Sequence, residues 1–480
     1  MNIEAIGFIA IALGLFGFYF GPEFMVYIFF ASTLLGAAGA LTLEFLGGTN
    51  IQPAHLLLGF LAIKLCGERR VMQEAMGGLR VGCPGFWLFL TTLYGSFTAF
   101  LLPRLFAGQT VVVPVRAEGY NTLLGPSMSN VTQPVYFIGN FICFVMLYGL
   151  AKSGRKWRHL VWAALAVAVL NLVFAALDLT TYWTGTSEML SFIRNASYAM
   201  LSDTESQGFK RIVGSFTEAS SFGYASLGYF AFVTTLWLFG VFQRLTLSLS
   251  ALTFLALIFS TSTTAYVGLA ALLSVLYGLT LLRLLFRPLT AQMMIFMIGS
   301  PFLVAVLVLG IALDDQASLY FKDLIDNLVL NKMSTSSGVE RSSWNAQAIQ
   351  NFLDTFGFGV GNGSARTSSF PLAVVASLGF PGALLYGAFL GSVLFAPRIS
   401  PDEYSIEAAV QSAAKAACTA WLIAASVSGA LIDLGLPFFA FSALACARPQ
   451  SAYRLRDIGS RSSSDLALIN PEKQTETAFS

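Results

Sequence analysis

The chain has 480 residues, of which 56% are hydrophobic and 11% charged, against roughly a quarter charged in an ordinary soluble domain. With a net charge of +2 and a mean hydropathy of +0.71, a water-soluble fold and a disordered chain are both excluded. Nucleic-acid binding has no electrostatic support, and an all-α polytopic integral membrane protein remains.

A helix needs about 20 apolar residues to cross a bilayer. In chain order, apolar runs predict spans near 4–21, 24–41, 54–66, 84–103, 134–151, 160–178 and 224–243. The stretch from 245 to 282 is too long for one helix and predicts two, turning at Ser260-Thr261-Ser262-Thr263-Thr264. Runs near 291–313, 370–396, 414–432 and 434–447 bring the expectation to about 12–13 transmembrane helices in a single domain, 1–447. The polar, Ser-rich 448–480 reads as a disordered cytoplasmic tail. The first run has no basic leader and reads as a retained span, not a cleaved signal.

Lys and Arg in short loops set the orientation. One side carries Arg69, Arg70, Arg80, Lys152, Arg155, Lys156, Arg158, Arg244, Arg283, Arg287, Arg398 and the basic residues of the tail. The other side carries nine basic residues on much longer loops. The dense side is expected to be cytoplasmic, an alternation that holds from residue 67 onward and puts the N-terminus outside if the first two spans are real. Three long loops, about 104–133, 179–223 and 314–369, then face outward, and loops of that length are usually functional. The spans themselves are nearly free of charge. Lys64 and Lys415 lie near cytoplasmic ends, where they can snorkel; Asp178 and Asp433 lie near outer ends. This lowers the reading of an ion-coupled transporter.

Cys66, Cys83, Cys143, Cys418 and Cys446 all lie in or beside apolar runs, which argues against a disulfide framework and a thiolate zinc site. The two histidines, His55 and His159, are far apart, and no HExxH, Walker A or CxxC string occurs. Neither a metal nor a cofactor is expected.

Two outer loops carry the informative strings. Lys210-Arg211-Ile212-Val213-Gly214-Ser215-Phe216-Thr217-Glu218 has Ser215 and Glu218 at capping-box spacing. Two cations ahead of a positive helix end either face solvent and lipid headgroups or share an anion such as phosphate. In the third loop, Ala317, Tyr320, Phe321, Leu324, Ile325 and Leu328 recur at helical spacing and predict an amphipathic surface helix. Ser337-Gly338-Val339-Glu340 gives a second capping box, with Arg341 in the first turn and Trp344 one turn on. Gly357-Phe358-Gly359-Val360-Gly361-Asn362-Gly363 follows, with Arg366 just beyond. Gly361 and Asn362 belong either to a flexible turn or to a backbone cradle for sugar or phosphate, with Arg366 as a further cation.

These residues resemble the O-antigen polymerase and ligase superfamily, nearest to bacterial exopolysaccharide polymerases. The likeness lies in Gly-x-Phe-x-Glu-x-Ser at 214–220 behind an Arg, the Ser-Thr turn at 260–264, and Glu-Arg-x-x-x-Trp with a Gly-x-Gly-x-Gly end in the later loop. It covers roughly 130–445 in layout and about 40 residues in motif. The resemblance implies a GT-C-like, metal-independent glycosyltransferase of the bacterial inner membrane, with its active site facing the periplasm or exterior. It implies an undecaprenyl-diphosphate-linked oligosaccharide as substrate, membrane lipid around it, and a chain-length regulator as partner. By motif position, Arg211 and Arg341 bind donor diphosphate or glycan. The family's Arg-x10-Gly spacing is not kept, since eleven residues separate Arg211 from Gly223. The ligases carry a His in the second large loop; here Thr367, Ser368 and Ser369 stand in that region, which favours polymerase over ligase.

For transfer to an acceptor hydroxyl, cations around the leaving diphosphate lower the barrier. Arg211 and Arg341 are the candidates, supported by Lys210 or Arg366. Glu218 is the first candidate base and Glu340 the second, and Trp344 is placed to stack on a sugar. A ligase and a lipid-linked oligosaccharide flippase are the alternatives.

Overall fold

Proline and glycine punctuate the apolar chain. The computed structural model describes residues 2–44, 49–115, 121–154, 156–196, 201, 205–206, 209–314, 318, 322, 336–400, 402 and 404–448. Helices α1 (Ala5–Phe20) and α2 (Pro22–Ser32) are separated by Gly21 alone. α3 (Pro53–Cys66) and α5 (Pro84–Leu105) also start on proline, whose missing N–H costs nothing at a first helical position. Between them lies the short α4 (Arg69–Gly77). α6 (Ser129–Lys152), α7 (Trp157–Trp183), α8 (Ala219–Leu238), α9 (Gln243–Phe259), α10 (Thr263–Phe286) and α11 (Ala291–Leu313) follow. Then come α12 (Ser336–Asp354), α13 (Phe370–Leu394), α14 (Ile406–Ser428) and α15 (Gly435–Cys446).

The chain is thus mostly helical, with three very small antiparallel sheets among the described residues. Five helices, α5, α6, α7, α10 and α13, are long and apolar enough to cross a membrane, and six shorter apolar helices accompany them. Together they mark an all-α membrane protein. The expected break within 245–282 falls at Ser260–Ser262, where Thr261 takes a positive φ of 47°.

The expected span 24–41 needs correction: α2 stops at Ser32. Ser32 Oγ and Thr33 Oγ1 donate back to the carbonyls of Phe29 (2.7 Å) and Phe30 (2.6 Å), which favours an exit from the helix. Leu41–Leu43 then pairs as a strand with both Asn2–Ile3 and Thr49–Ile51. The amphipathic helix expected around 317–328, and the tail beyond Arg448, lie outside the described residues.

The core is aromatic. Trp421 of α14 meets Tyr229 of α8 and Phe441 of α15 edge-on, and Phe232 also meets Phe441 edge-on. These rings are almost fully buried, and edge-to-face contacts add to the gain from removing their area from contact with lipid or water.

The connections sort to two ends of the bundle. At one end, Lys156 Nζ lies 2.5 Å from Glu68 and 3.5 Å from Glu23, and Lys152 Nζ lies 2.9 Å from Glu74. These join the turns after α1, α3 and α6. At the opposite end Ser215 Oγ donates to the Leu34 carbonyl (2.6 Å), and Arg211 Nη2 donates to that of Thr261 (3.3 Å). There too Gln347 Nε2 donates to the Val111 carbonyl (2.7 Å) and Thr367 N to that of Ala430 (3.0 Å). The turns after α2, α5, α7, α9, α12 and α14 meet there, and the first strand lies with them through its pairing to Leu41–Leu43.

Candidate functional site

The end with the longer connections holds two polar clusters. The first is closed. Asp178, at the end of α7 and 1% exposed, accepts from Arg194 Nη2 (2.6 Å), Val213 N (2.7 Å) and Gly214 N (3.1 Å). Lys210 Nζ lies 3.6 Å from the same carboxylate and 5.3 Å from the Tyr182 ring centroid. Arg194 also bonds the Gly214 carbonyl. A buried carboxylate that accepts two backbone N–H groups and pairs with two cations fixes the course of residues 210–214. Lys210 is therefore engaged in holding the loop.

The second cluster is open. Arg211 points away from its neighbour, toward Thr261 and Tyr266. Burial pulls its guanidinium below the ordinary value, and Glu218 and Tyr266 push it back up. It stays charged, yet its Nε is buried with no partner. Glu218 receives the Ser220 hydroxyl and lines a cavity of about 260 Å³ with Phe216, Ser220, Ser221, Tyr224 and Ser428. Arg366 comes from the other loop. Its guanidinium stacks 4.0 Å over the Trp344 ring, and its Nε is also buried without a partner. Burial pulls Arg366 down, Glu340 pushes it up, Arg341 lowers it and Glu218 raises it. So Glu218 is within electrostatic reach of Arg211 and Arg366, and Arg366 of Glu340 and Arg341. Five of the sequence-derived candidates thereby form one connected set, with Trp344 packed against it.

Both capping boxes need correction. α8 begins at Ala219, so Glu218 occupies the N-cap position itself, with extended backbone and no side-chain cap. Ser215 lies four residues before that helix, and its hydroxyl goes to Leu34 instead. α12 is already helical at Ser336, so Ser337 and Glu340 stand inside its first turns and Glu340 is exposed. In the first case a tertiary contact of Ser215 takes the hydroxyl that local spacing had assigned to the cap.

The glycine run is packed. Gly357, Gly359, Gly361 and Gly363 all have φ between 81° and 90°. A Cβ on Gly361 would lie 2.7 Å from the Thr98 carbonyl oxygen, and one on Gly363 would lie 2.3 Å from that of Ser129. Gly379, at φ 64°, kinks α13. The kink leaves main-chain groups that the loop takes up: Val360 N to Ala376 O (2.8 Å), Gly361 N to Ser377 O (3.0 Å) and Phe380 N to Gly357 O (2.8 Å). Asn362 is 2% exposed; its carbonyl accepts from Asn130 Nδ2 (2.9 Å), while its own Nδ2 has no partner. Gly361 and Asn362 therefore set the position of the loop from beneath and carry half-buried Arg366 on it.

Sequence reasoning passed over Asn140 and Tyr224, noted Thr367 only as standing where ligases carry a His, and noted Asp433 only as a charge near a span end. Asn140 Nδ2 donates to Asp433 Oδ1 (2.7 Å), from 293 residues away. A lone acid between two apolar runs was the available signal; its partner was not visible. A larger groove of about 970 Å³ opens at the opposite end, with Arg69, Glu74, Arg80 and Lys152 among its lining residues. None of the candidates touches it, and Lys152 is paired there with Glu74, so size alone does not make it the site. Among the described residues no group of three or more His, Cys, Asp or Glu side chains could hold a metal ion. No family model, curated protein or solved structure matches the chain.

Proposed function

We propose that the chain is a polysaccharide polymerase of the bacterial inner membrane, a GT-C-like glycosyltransferase with about 12–13 spans whose long connections face outward. It transfers a glycan held on a lipid diphosphate to the sugar of a new lipid-linked repeat unit, in exopolysaccharide or O-antigen synthesis. The observation that carries this reading is the connected set Arg211–Glu218–Arg366–Glu340–Arg341 beside a cavity. Its members come from two connections far apart in the chain.

The chemistry follows from charge. As the glycosidic bond breaks, the diphosphate takes the electron pair and gains negative charge. Guanidinium groups already in position lower that barrier without reorganising, and more so where water is scarce. Half-buried Arg211 and Arg366, each with a buried Nε not yet bonded, are suited to this; Arg341 extends the positive zone. Because the cations are side chains, the reading needs no metal. Trp344 holds the Arg366 plane by stacking. The cavity beside Glu218 has room for a sugar ring. The sequence offers Glu218 and Glu340 as proton acceptors, and both lie in the field of Arg366.

The test is direct. Purified protein is incubated with lipid-diphosphate-linked repeat units, and products are run on a gel. A ladder spaced by one repeat is expected. Transfer of a preformed polymer to a different acceptor, with no ladder, would instead indicate the ligase alternative. Uptake of intact lipid-linked oligosaccharide across the bilayer without bond formation would indicate a flippase.

A further inference from the structure

The turn between α14 and α15, residues 429–434, is irregular backbone among packed helices, and its main-chain carbonyls need partners. Neighbours supply them. Tyr224 donates to the Leu434 carbonyl (2.8 Å), Tyr386 to Ile432 (3.1 Å), and Thr367 to Ala430 through N (3.0 Å) and to Gly429 through Oγ1 (3.2 Å). Tyr224 and Ser428, which flank this turn, also line the cavity that holds Glu218. Thr367 is the residue after Arg366.

Asp433 stands in this turn and is partly exposed. Its Oδ1 accepts from Asn140 Nδ2 (2.7 Å) and Gly435 N (2.6 Å). Among the described residues it makes no ion pair, and no hydrogen bond reaches Oδ2. Its charge is felt at Tyr224 and His55. Nearby, Asn140 Oδ1 and both ring nitrogens of His55 are buried without a partner. The arrangement differs from Glu218, whose charge is shared with Arg211, Arg366 and Ser220. Asp433 is oriented through one oxygen and free to accept at the other.

Resting on the polymerase reading, we propose that Asp433 is the proton acceptor for the incoming sugar hydroxyl, with Asn140 as its positioning residue. The hydroxyl oxygen forms the new bond to the anomeric carbon. The bond from that carbon to the diphosphate breaks, and the diphosphate leaves with the electron pair. The hydroxyl proton passes to Asp433 Oδ2 and then to water when product departs.

The experiment uses full-length protein in nanodiscs and the ladder assay. Asp433→Asn keeps size and can still accept both existing bonds at Oδ1. Its elongation rate is expected to fall at least 100-fold, the low end for a lost general base, while binding of the radiolabelled lipid-diphosphate repeat stays within twofold of wild type. Asp433→Ala is expected to regain at least tenfold with added formate, which replaces the missing carboxylate; a merely structural carboxylate would not respond. Elongation by Asp433→Asn within fivefold of wild type, loss of donor binding in that variant, or no response of Asp433→Ala to formate would each overturn the assignment. If Asp433→Ala does not accumulate, the rate and binding of Asp433→Asn decide. Failure of the wild-type protein to form any ladder would instead overturn the polymerase reading itself.

Discussion

Lys210 and Arg211 are adjacent, and their fates are opposite. Lys210 turns into the Asp178 cluster, where every charge meets a countercharge at 3.6 Å or less. Arg211 turns toward Glu218 and keeps a buried nitrogen without a partner. Each cluster keeps one buried guanidinium Nε without a partner, on Arg194 and on Arg211, so the contrast lies in ion pairing. A buried carboxylate held between two cations fixes the loop around it, whereas Arg211 makes no ion pair among the described residues and its side chain donates only to a main-chain carbonyl.

The sharpest way to break this contrast is to remove the open cluster's cations. Arg211→Ala and Arg341→Ala are each expected to lower polymer formation by about 10²–10³-fold, the range for losing a preorganised charge at the reacting centre. Immunoblots of membranes should show normal protein. Ordinary polymer length and yield in both variants would remove the proposed site. The closed cluster should behave the other way. Asp178→Ala removes the carboxylate that buried Arg194 and Lys210 lie against, a loss of about 3–5 kcal/mol. Membrane protein levels and thermal stability by fluorescence size-exclusion should fall, while the activity per folded molecule stays near wild type. Unchanged stability would mean that Asp178 is not the anchor.

Smaller changes refine the boundary. Glu218→Gln removes the charge between the two arginines and is expected to slow elongation about tenfold, matching roughly 1.4 kcal/mol of lost interaction, with no change in protein amount. Trp344→Ala removes the plane beneath Arg366. A cation–π contact is worth about 0.5–2 kcal/mol, so a severalfold rise in KM for the lipid-linked substrate is expected, with kcat less affected. Ser215→Ala loses one buried hydrogen bond to Leu34 and should cost about 1 kcal/mol, seen as a small drop in melting temperature and no change in elongation.

The features readable in the sequence are those carried by neighbouring residues. The polar run at 260–264 announced a helix break, and alternating basic loops announced which connections share an end. Arg211, Glu218, Glu340, Arg341 and Arg366 could be listed because each sits in a polar stretch within an apolar chain. What stayed hidden depends on distant contacts. The capping box at Ser215 failed because Leu34, 181 residues away, takes its hydroxyl. The glycine run looked open because its close approach to Thr98 and Ser129 is set by how α5 and α6 pack. Asp433 could be seen, but its orientation comes from Asn140 on α6. The apolar run 33–41 looked helical because hydrophobicity alone does not register pairing with the first strand.

The kink at Gly379 has a mechanical corollary. A strap that fastens itself to the gap in α13 at three main-chain points, and rests its glycines on carbonyls beneath, cannot swing like a flap between turnovers. In the proposed reaction guests must therefore slip in from the side and out again past a stationary rim. A product that lengthens at every cycle suits such a rim better than a jaw, since nothing needs to shut around it.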